Sequence, residues 1–244
     1  MIGISPRVII LMALLFTVPV FGKSKGEREA CARGDHAYSE ANYEEAIRQY
    51  RQALTGKELE LKAKAQYNIG VCLYELYRTS EAIDQYRAAS DVLNGRYPKA
   101  LYALGVALED LNKVAEARTA YRQAIESSGG KYAEAFYRLG VVNALLGDPE
   151  TAGNSFAQAI AQANGYFPAS HNNLGVTLAQ RGFYAKAERE FELALLQTGG
   201  DYDDARHNLA LCRSLLNPAS VAHLVISSSK QNEMKVKLLL PTLP

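Results

Sequence analysis

The sequence predicts an all-α fold: five helix–turn–helix repeats stacked into an open array and closed by one further helix. Three observations carry this. Glycines recur 35 or 36 residues apart, at Gly34, Gly70, Gly105, Gly140 and Gly175. A fixed series follows each of them, an alanine after twelve residues, an aromatic after four more and an alanine after three more. Within each unit the apolar residues recur at helical spacing. A period of this length marks stacked supersecondary units, not one closed globule.

Taken in order, the repeats span about 27–62, 63–97, 98–132, 133–167 and 168–202. The alanine–aromatic–alanine series reads Ala46-Tyr50-Ala53, Ala82-Tyr86-Ala89, Ala117-Tyr121-Ala124, Ala152-Phe156-Ala159 and Ala187-Phe191-Ala194. The third unit shows the pattern well. Leu101, Leu104, Val106 and Leu108 mark its first helix, and Ala117, Tyr121, Ala124 and Ile125 its second. Paired helices approach closely only where side chains are small, and a large aromatic then fills the gap that remains. Between repeats stand Asn94-Gly95-Arg96-Tyr97, Gly129-Gly130-Lys131-Tyr132, Asn164-Gly165-Tyr166-Phe167 and Gly199-Gly200-Asp201-Tyr202. Asparagine or glycine before glycine predicts a left-handed helix stop. The aromatic two residues on is expected to staple the start of the next helix, where Pro98 and Pro168 are tolerated. A last helix is predicted over 203–216 from Ala205, Leu209, Ala210 and Leu216, with Asn217-Pro218 ending it. It would cap the exposed end of the array.

The pattern resembles the tetratricopeptide repeat, a helix–turn–helix unit of about 34 residues. Its Leu-Gly element stands as Ile69-Gly70, Leu104-Gly105, Leu139-Gly140 and Leu174-Gly175. The first repeat departs with Arg33-Gly34, and Asn143 stands where a large apolar residue is usual. The family's proline after the second helix is missing throughout. The resemblance covers roughly 27–216 and implies a right-handed superhelical solenoid with the first helices lining its concave side. It also implies function through binding a protein or peptide.

The two ends lie outside the repeat. Arg7 and the apolar run Val8–Phe21 resemble a secretory signal peptide, residues 1–22, with cleavage expected after Gly22. The run is too short for a comfortable membrane span. The mature chain is therefore expected in the periplasm of a bacterial envelope or secreted. Contact with a membrane is expected only through this segment if it is retained. From Asn217 to Pro244 the tail has apolar or alternating runs at 221–226 and 234–240. A β-hairpin, an extended segment laid on the array and a disordered tail are all open.

Composition excludes several classes. The chain has 27 Lys and Arg against 26 Asp and Glu, with no basic stripe, so nucleic acid has no electrostatic footprint. His36, His171, His207 and His223 have no ligand spacing with Cys, Asp or Glu. No metal site, small-molecule cofactor, phosphate-binding loop or nucleophile–base pair is expected, and so no enzyme. Cys31, Cys72 and Cys212 read as buried free thiols, although a bridge between the first two stays open.

The family resemblance places a partner on the first helices. With the aligned glycine as position eight, positions two, five, nine, twelve and thirteen face the groove. Position five holds Cys31, Tyr67, Tyr102, Tyr137 and Asn172; position nine holds Asp35, Val71, Val106, Val141 and Val176; Tyr38 and Tyr74 stand at twelve. Tyr67, Val71, Tyr74, Tyr102, Val106, Tyr137, Val141, Asn172 and Val176 are the candidate partner-binding residues. Packing among the repeats is the competing explanation for the tyrosines and valines, and occupation by the chain's own tail a third. Some family members clamp a partner's terminal carboxylates with Lys and Asn. Here Cys31 and Asp35 stand at those places in the first repeat and Ala103 at another, so that mode is not expected despite Lys99 and Asn68. The function expected is an interaction scaffold. Self-association, or service as an accessory subunit of an enzyme whose catalytic part lies elsewhere, is the alternative.

Overall fold

A computed structural model describes residues 21–216. The expected signal segment lies outside them except for Phe21 and Gly22, and the tail 217–244 lies outside them entirely. Eleven helices and no strand occur among the described residues. They run α1 (Phe21–Ser39), α2 (Tyr43–Ala53), α3 (Leu59–Glu75), α4 (Thr79–Val92), α5 (Pro98–Asp110), α6 (Val114–Ser127), α7 (Ala133–Leu145), α8 (Pro149–Gln162), α9 (Pro168–Gln180), α10 (Tyr184–Gln197) and α11 (Asp203–Leu216). Each odd-numbered helix up to α9 pairs with its successor, and each second helix packs on the first helix of the next unit. The result is a right-handed solenoid of five hairpins closed by α11.

The glycine column explains the pairing. A methyl group on Gly34, Gly70, Gly105, Gly140 or Gly175 would lie 2.6, 2.6, 2.4, 2.5 or 2.6 Å from the ring of Tyr50, Tyr86, Tyr121, Phe156 or Phe191 respectively. The ring of each second helix therefore lies flush on the backbone of its own first helix. The alanines that flank each ring are at most 1 % exposed. A larger side chain there would overpack the contact.

Each turn inside a hairpin stops its first helix with one left-handed residue: Ala41, Tyr77, Asn112, Gly147 or Gly182. Connectors between repeats use two in succession, such as Asn94-Gly95 (φ 52° and 77°) and Gly129-Gly130 (φ 65° and 77°). The second residue then donates its N–H back five residues, as from Gly95 to Ser90 at 2.9 Å and from Gly130 to Ile125 at 2.8 Å. This is the Schellman closure expected of a glycine stop. Pro98, Pro149 and Pro168 occupy first-turn positions. The first connector differs. It lacks the left-handed pair and a proline, and α3 begins at Leu59, four residues earlier than the repeat boundary predicts.

Four buried asparagines sit within this apolar frame. Asn143 occupies the register of Leu73, Leu108 and Leu178, is 2 % exposed, and its Nδ2 has no hydrogen-bond partner. Asn208 of α11 donates through Nδ2 to Asn172 Oδ1 of α9 at 3.0 Å, and Asn172 donates to Asn173 Oδ1 at 3.1 Å. This buried amide chain docks the capping helix. Cys212 supports it by donating its thiol to the Tyr184 carbonyl at 3.2 Å. All three cysteines are buried free thiols. Burial raises the pKa of each, that of Cys72 to about 12.

Candidate functional site

The first helices line the concave face, and the nine candidate residues divide along it. Tyr67, Val71, Tyr74, Tyr102 and Val106, on α3 and α5, are half-buried. Tyr137, Val141, Asn172 and Val176, on α7 and α9, are 0–4 % exposed. These four present no surface to a partner in this conformation, a correction to the expectation of a groove running the full length. Small residues account for part of it. Ala144 and Ala179 replace Tyr74 at position twelve, and Asn172 replaces tyrosine at position five, so the first helices close on one another. There α9 touches both α7 and α11.

The tyrosines at position five also serve as structure. Tyr67 sits between Tyr86 at 5.8 Å and Tyr97 at 5.6 Å. Tyr102 sits between Tyr121 at 5.8 Å and Tyr132 at 5.1 Å. Tyr137 sits between Phe156 at 5.9 Å and Phe167 at 5.1 Å. Each central ring thus bridges the second helix of its own unit and the connector that opens the next. The connector aromatic is the residue preceding its helix and stacks backward on the previous repeat. Tilted or stacked rings at these separations contribute about 0.5–1.5 kcal/mol per pair beyond their burial.

What stays open is a tyrosine-lined surface with a charged edge. One depression of about 540 Å³ is floored by Tyr67, Tyr102, Ala103 and Val106 and rimmed by Tyr74, Glu75, Tyr77, Asp110 and Arg138. A second of about 340 Å³ adjoins it through Tyr67 and includes Asp35, Tyr38, Asn68 and Val71. Glu75, Tyr77 and Asp110 are exposed. Tyr74 donates its hydroxyl to Asp110 Oδ2. Tyr77 was not singled out by the sequence pattern, yet its ring is 95 % exposed on a left-handed backbone (φ 58°). Ala41, Asn112 and Gly147 hold the same turn position at lower steric cost.

Charges inside the groove are largely neutralised locally. Asp35 accepts from Tyr50 Oη at 2.7 Å, Lys64 Nζ at 3.1 Å and Asn68 Nδ2 at 3.1 Å. Lys64 and Asn68 therefore form no carboxylate clamp, since an internal carboxylate already holds them. Burial and the Asp35 carboxylate push the Tyr50 hydroxyl far above its ordinary range. Further along, Tyr121 donates to Glu109 Oε2, and Arg138 lies 3.7 Å from the same oxygen. Burial raises the Glu109 carboxyl above the ordinary range, with Arg138 opposing the shift. Among the described residues no group of three or more His, Cys, Asp or Glu converges as a metal site would need. No helix among them is long and apolar enough to cross a membrane.

Stacked helical hairpins with an open, tyrosine-lined concave face define a repeat solenoid of the protein-interaction class. The sequence profile of the tetratricopeptide repeat matches residues 31–100 and 102–167, and the chain belongs to that family. Solved structures agree in fold. A MamA structure is 23% identical with a TM-score of 0.61, over 68% of this chain and 94% of its own. YrrB, described as a tetratricopeptide repeat protein with an unusual peptide-binding site, is 23% identical with a TM-score of 0.63, over 79% of this chain and 96% of its own. The pilF product of Pseudomonas aeruginosa is 20% identical with a TM-score of 0.60, over 82% and 95%. At these identities the likeness speaks for the fold alone. No curated protein sequence matches the chain. Members of the family are typically non-catalytic scaffolds that bind protein or peptide partners.

Proposed function

We propose that this chain is an exported, non-enzymatic scaffold, periplasmic or secreted, whose concave groove holds a segment of a partner protein. The observation that carries the groove is the half-buried apolar strip of Tyr67, Val71, Tyr74, Tyr102 and Val106 above two connected depressions. Contiguous exposed apolar surface marks interaction sites, and tyrosine is enriched at binding hot spots. The peptide-binding site ascribed to YrrB lends the reading support by analogy. Export rests on the apolar segment after Arg7.

Affinity capture from an envelope extract tests the groove, comparing the full chain with Tyr74→Ala and Val106→Arg variants of equal helicity. A protein retained by the first and lost by both variants identifies the partner and its site. Equal retention moves the interface off the groove. N-terminal sequencing of the envelope fraction tests export, since a chain that starts at Met1 there refutes cleavage after Gly22.

A further inference from the structure

One junction in the array is underfilled. Twenty residues after the aligned glycine, the later second helices carry Ile125, Ile160 and Leu195, whereas α4 carries Ser90. Four residues before the glycine, α7 and α9 carry Phe136 and His171, whereas α5 carries the shorter Leu101. Both small choices fall at the junction of the second and third repeats. They line a pocket of about 660 Å³ between α4, the connector, α5 and α6. Small-molecule sites occupy roughly 300–1,000 Å³. Leu101 and Leu104 give it an apolar floor, and Ser90 on its wall is only 4 % exposed. The pocket shares no residue with the two concave depressions.

Charges of both signs stand on its rim. Arg87 is already held by Glu116 at 3.2 Å and Asp84 at 4.0 Å. Asp91, Arg96 and Glu126 are exposed and make no ion pair among the described residues. The Arg96 side chain donates only through Nε, to the Leu93 carbonyl at 3.5 Å. The backbone that carries Arg96 is fixed in advance, since Gly95 donates its N–H to Ser90 at 2.9 Å and Arg96 donates its own to Leu93 at 3.1 Å. We propose that this pocket binds a small apolar zwitterion, a free amino acid or short free peptide with an aliphatic side chain. The side chain lies on Leu101 and Leu104 in the room that Ser90 leaves. The ammonium meets Asp91 or Glu126, and the carboxylate meets Arg96. Burial of the side chain supplies affinity, and the charged hydrogen bonds set its orientation. A ligand so placed bridges the second and third repeats. The site does not depend on the groove reading.

Amide chemical-shift titration of the full chain tests this, with L-leucine and L-leucyl-L-leucine as probes. At least one is expected to shift the Asp91, Gly95 and Arg96 amides saturably while the Val71 and Val106 amides stay in place. The tighter of the two shows whether a free amino acid or a free peptide is the better ligand. Ser90→Ile, which installs the side chain of the next two repeats, is expected to abolish the shifts. Arg96→Gln is an exposed change that leaves the core intact, and it is expected to weaken binding at least tenfold. Asp91→Asn with Glu126→Gln is expected to do the same. The amide of the bound probe, which lacks the carboxylate, and its deaminated analogue, which lacks the ammonium, are each expected to bind at least tenfold more weakly. Absence of saturable shifts with both zwitterions overturns the proposal, as do shifts that survive Ser90→Ile. Equal binding of the amide or the deaminated analogue, or by Arg96→Gln, overturns the pairing of the two charges.

Discussion

Gly105→Ala isolates what the glycine column does. The added methyl would lie 2.4 Å from Tyr121 Cε1 and 2.7 Å from Cδ1 and Cζ, so the ring must move. It has no room, being 0 % exposed, packed on Tyr102 and tied through its hydroxyl to Glu109. Overpacking costs about 1–3 kcal/mol, and weakening a hydrogen bond to a buried carboxylate adds about 1.5–3 kcal/mol. Alanine returns about 1 kcal/mol through helix propensity. The net expectation is a loss of about 1.5–5 kcal/mol. Gly140→Ala meets Phe156 at 2.5 Å, but that ring has no hydroxyl to hold it, so a smaller loss of about 1 kcal/mol is expected. Gly26→Ala meets nothing within 4 Å and is expected to gain up to about 1 kcal/mol. Urea unfolding followed by far-UV circular dichroism ranks the three. Gly105→Ala as stable as the parent, or Gly26→Ala as damaging as Gly105→Ala, would refute the steric account.

Three further outcomes follow from buried polar groups. Arg138→Ala leaves Glu109 without its cation and is expected to cost about 3–5 kcal/mol, most of it recovered when Glu109→Gln is added; a double-mutant cycle in urea measures this. Asn143→Leu removes an amide whose Nδ2 has no partner and restores the residue type of its register, with an expected gain of about 1–3 kcal/mol in the same assay. His171 gives the array a pH dependence. Burial pulls its pKa down, but Glu190 at 2.7 Å and the Gly165 carbonyl at 3.1 Å outweigh that, so it lies above the ordinary histidine value of 6.5. The folded state therefore binds the proton more tightly than the unfolded state. This contribution is complete below pH 6.5 and disappears as pH rises through the raised folded value. His171→Gln is expected to remove that part of the slope, at most about 1.4 kcal/mol per pH unit in the parent, as thermal melts across pH 5–9 would show.

Most of the architecture was legible in residues whose role is steric. The Gly column, the alanine–aromatic–alanine series and the Gly-Gly stops each admit few side chains, so they survive as pattern and place the helices. The site was less legible because its determinants are tertiary. Val106 and Val176 are the same residue at the same register, yet one is half-buried and the other 0 % exposed. That difference depends on how closely neighbouring first helices approach, set in part by Ala144, Ala179 and Asn172. The connector aromatics were visible as a periodic feature, but their stacking on a ring thirty residues earlier emerges only when the repeats are superposed in space. Nothing in the local sequence marks Glu109 and Arg138 as a pair. Tyr77 had a usable signal, a bulky aromatic in a turn where other repeats place Ala, Asn or Gly.

The three-ring stacks carry a consequence for how the array comes apart. They tie the second unit to the third, the third to the fourth and the fourth to the fifth. The junction between the first two units has no such tie. Cys31 replaces the central tyrosine, Glu58 replaces the connector ring, and the left-handed pair is missing. In a linear chain of neighbours, melting starts where coupling is weakest. The first hairpin, held across this junction by polar contacts of Asp35 with Lys64 and Asn68 and of Arg28 with Glu58, lacks the ring links of the later units. Since Asp35, Tyr38 and Tyr50 belong to that hairpin, opening it removes one wall of the smaller depression and leaves the larger one standing.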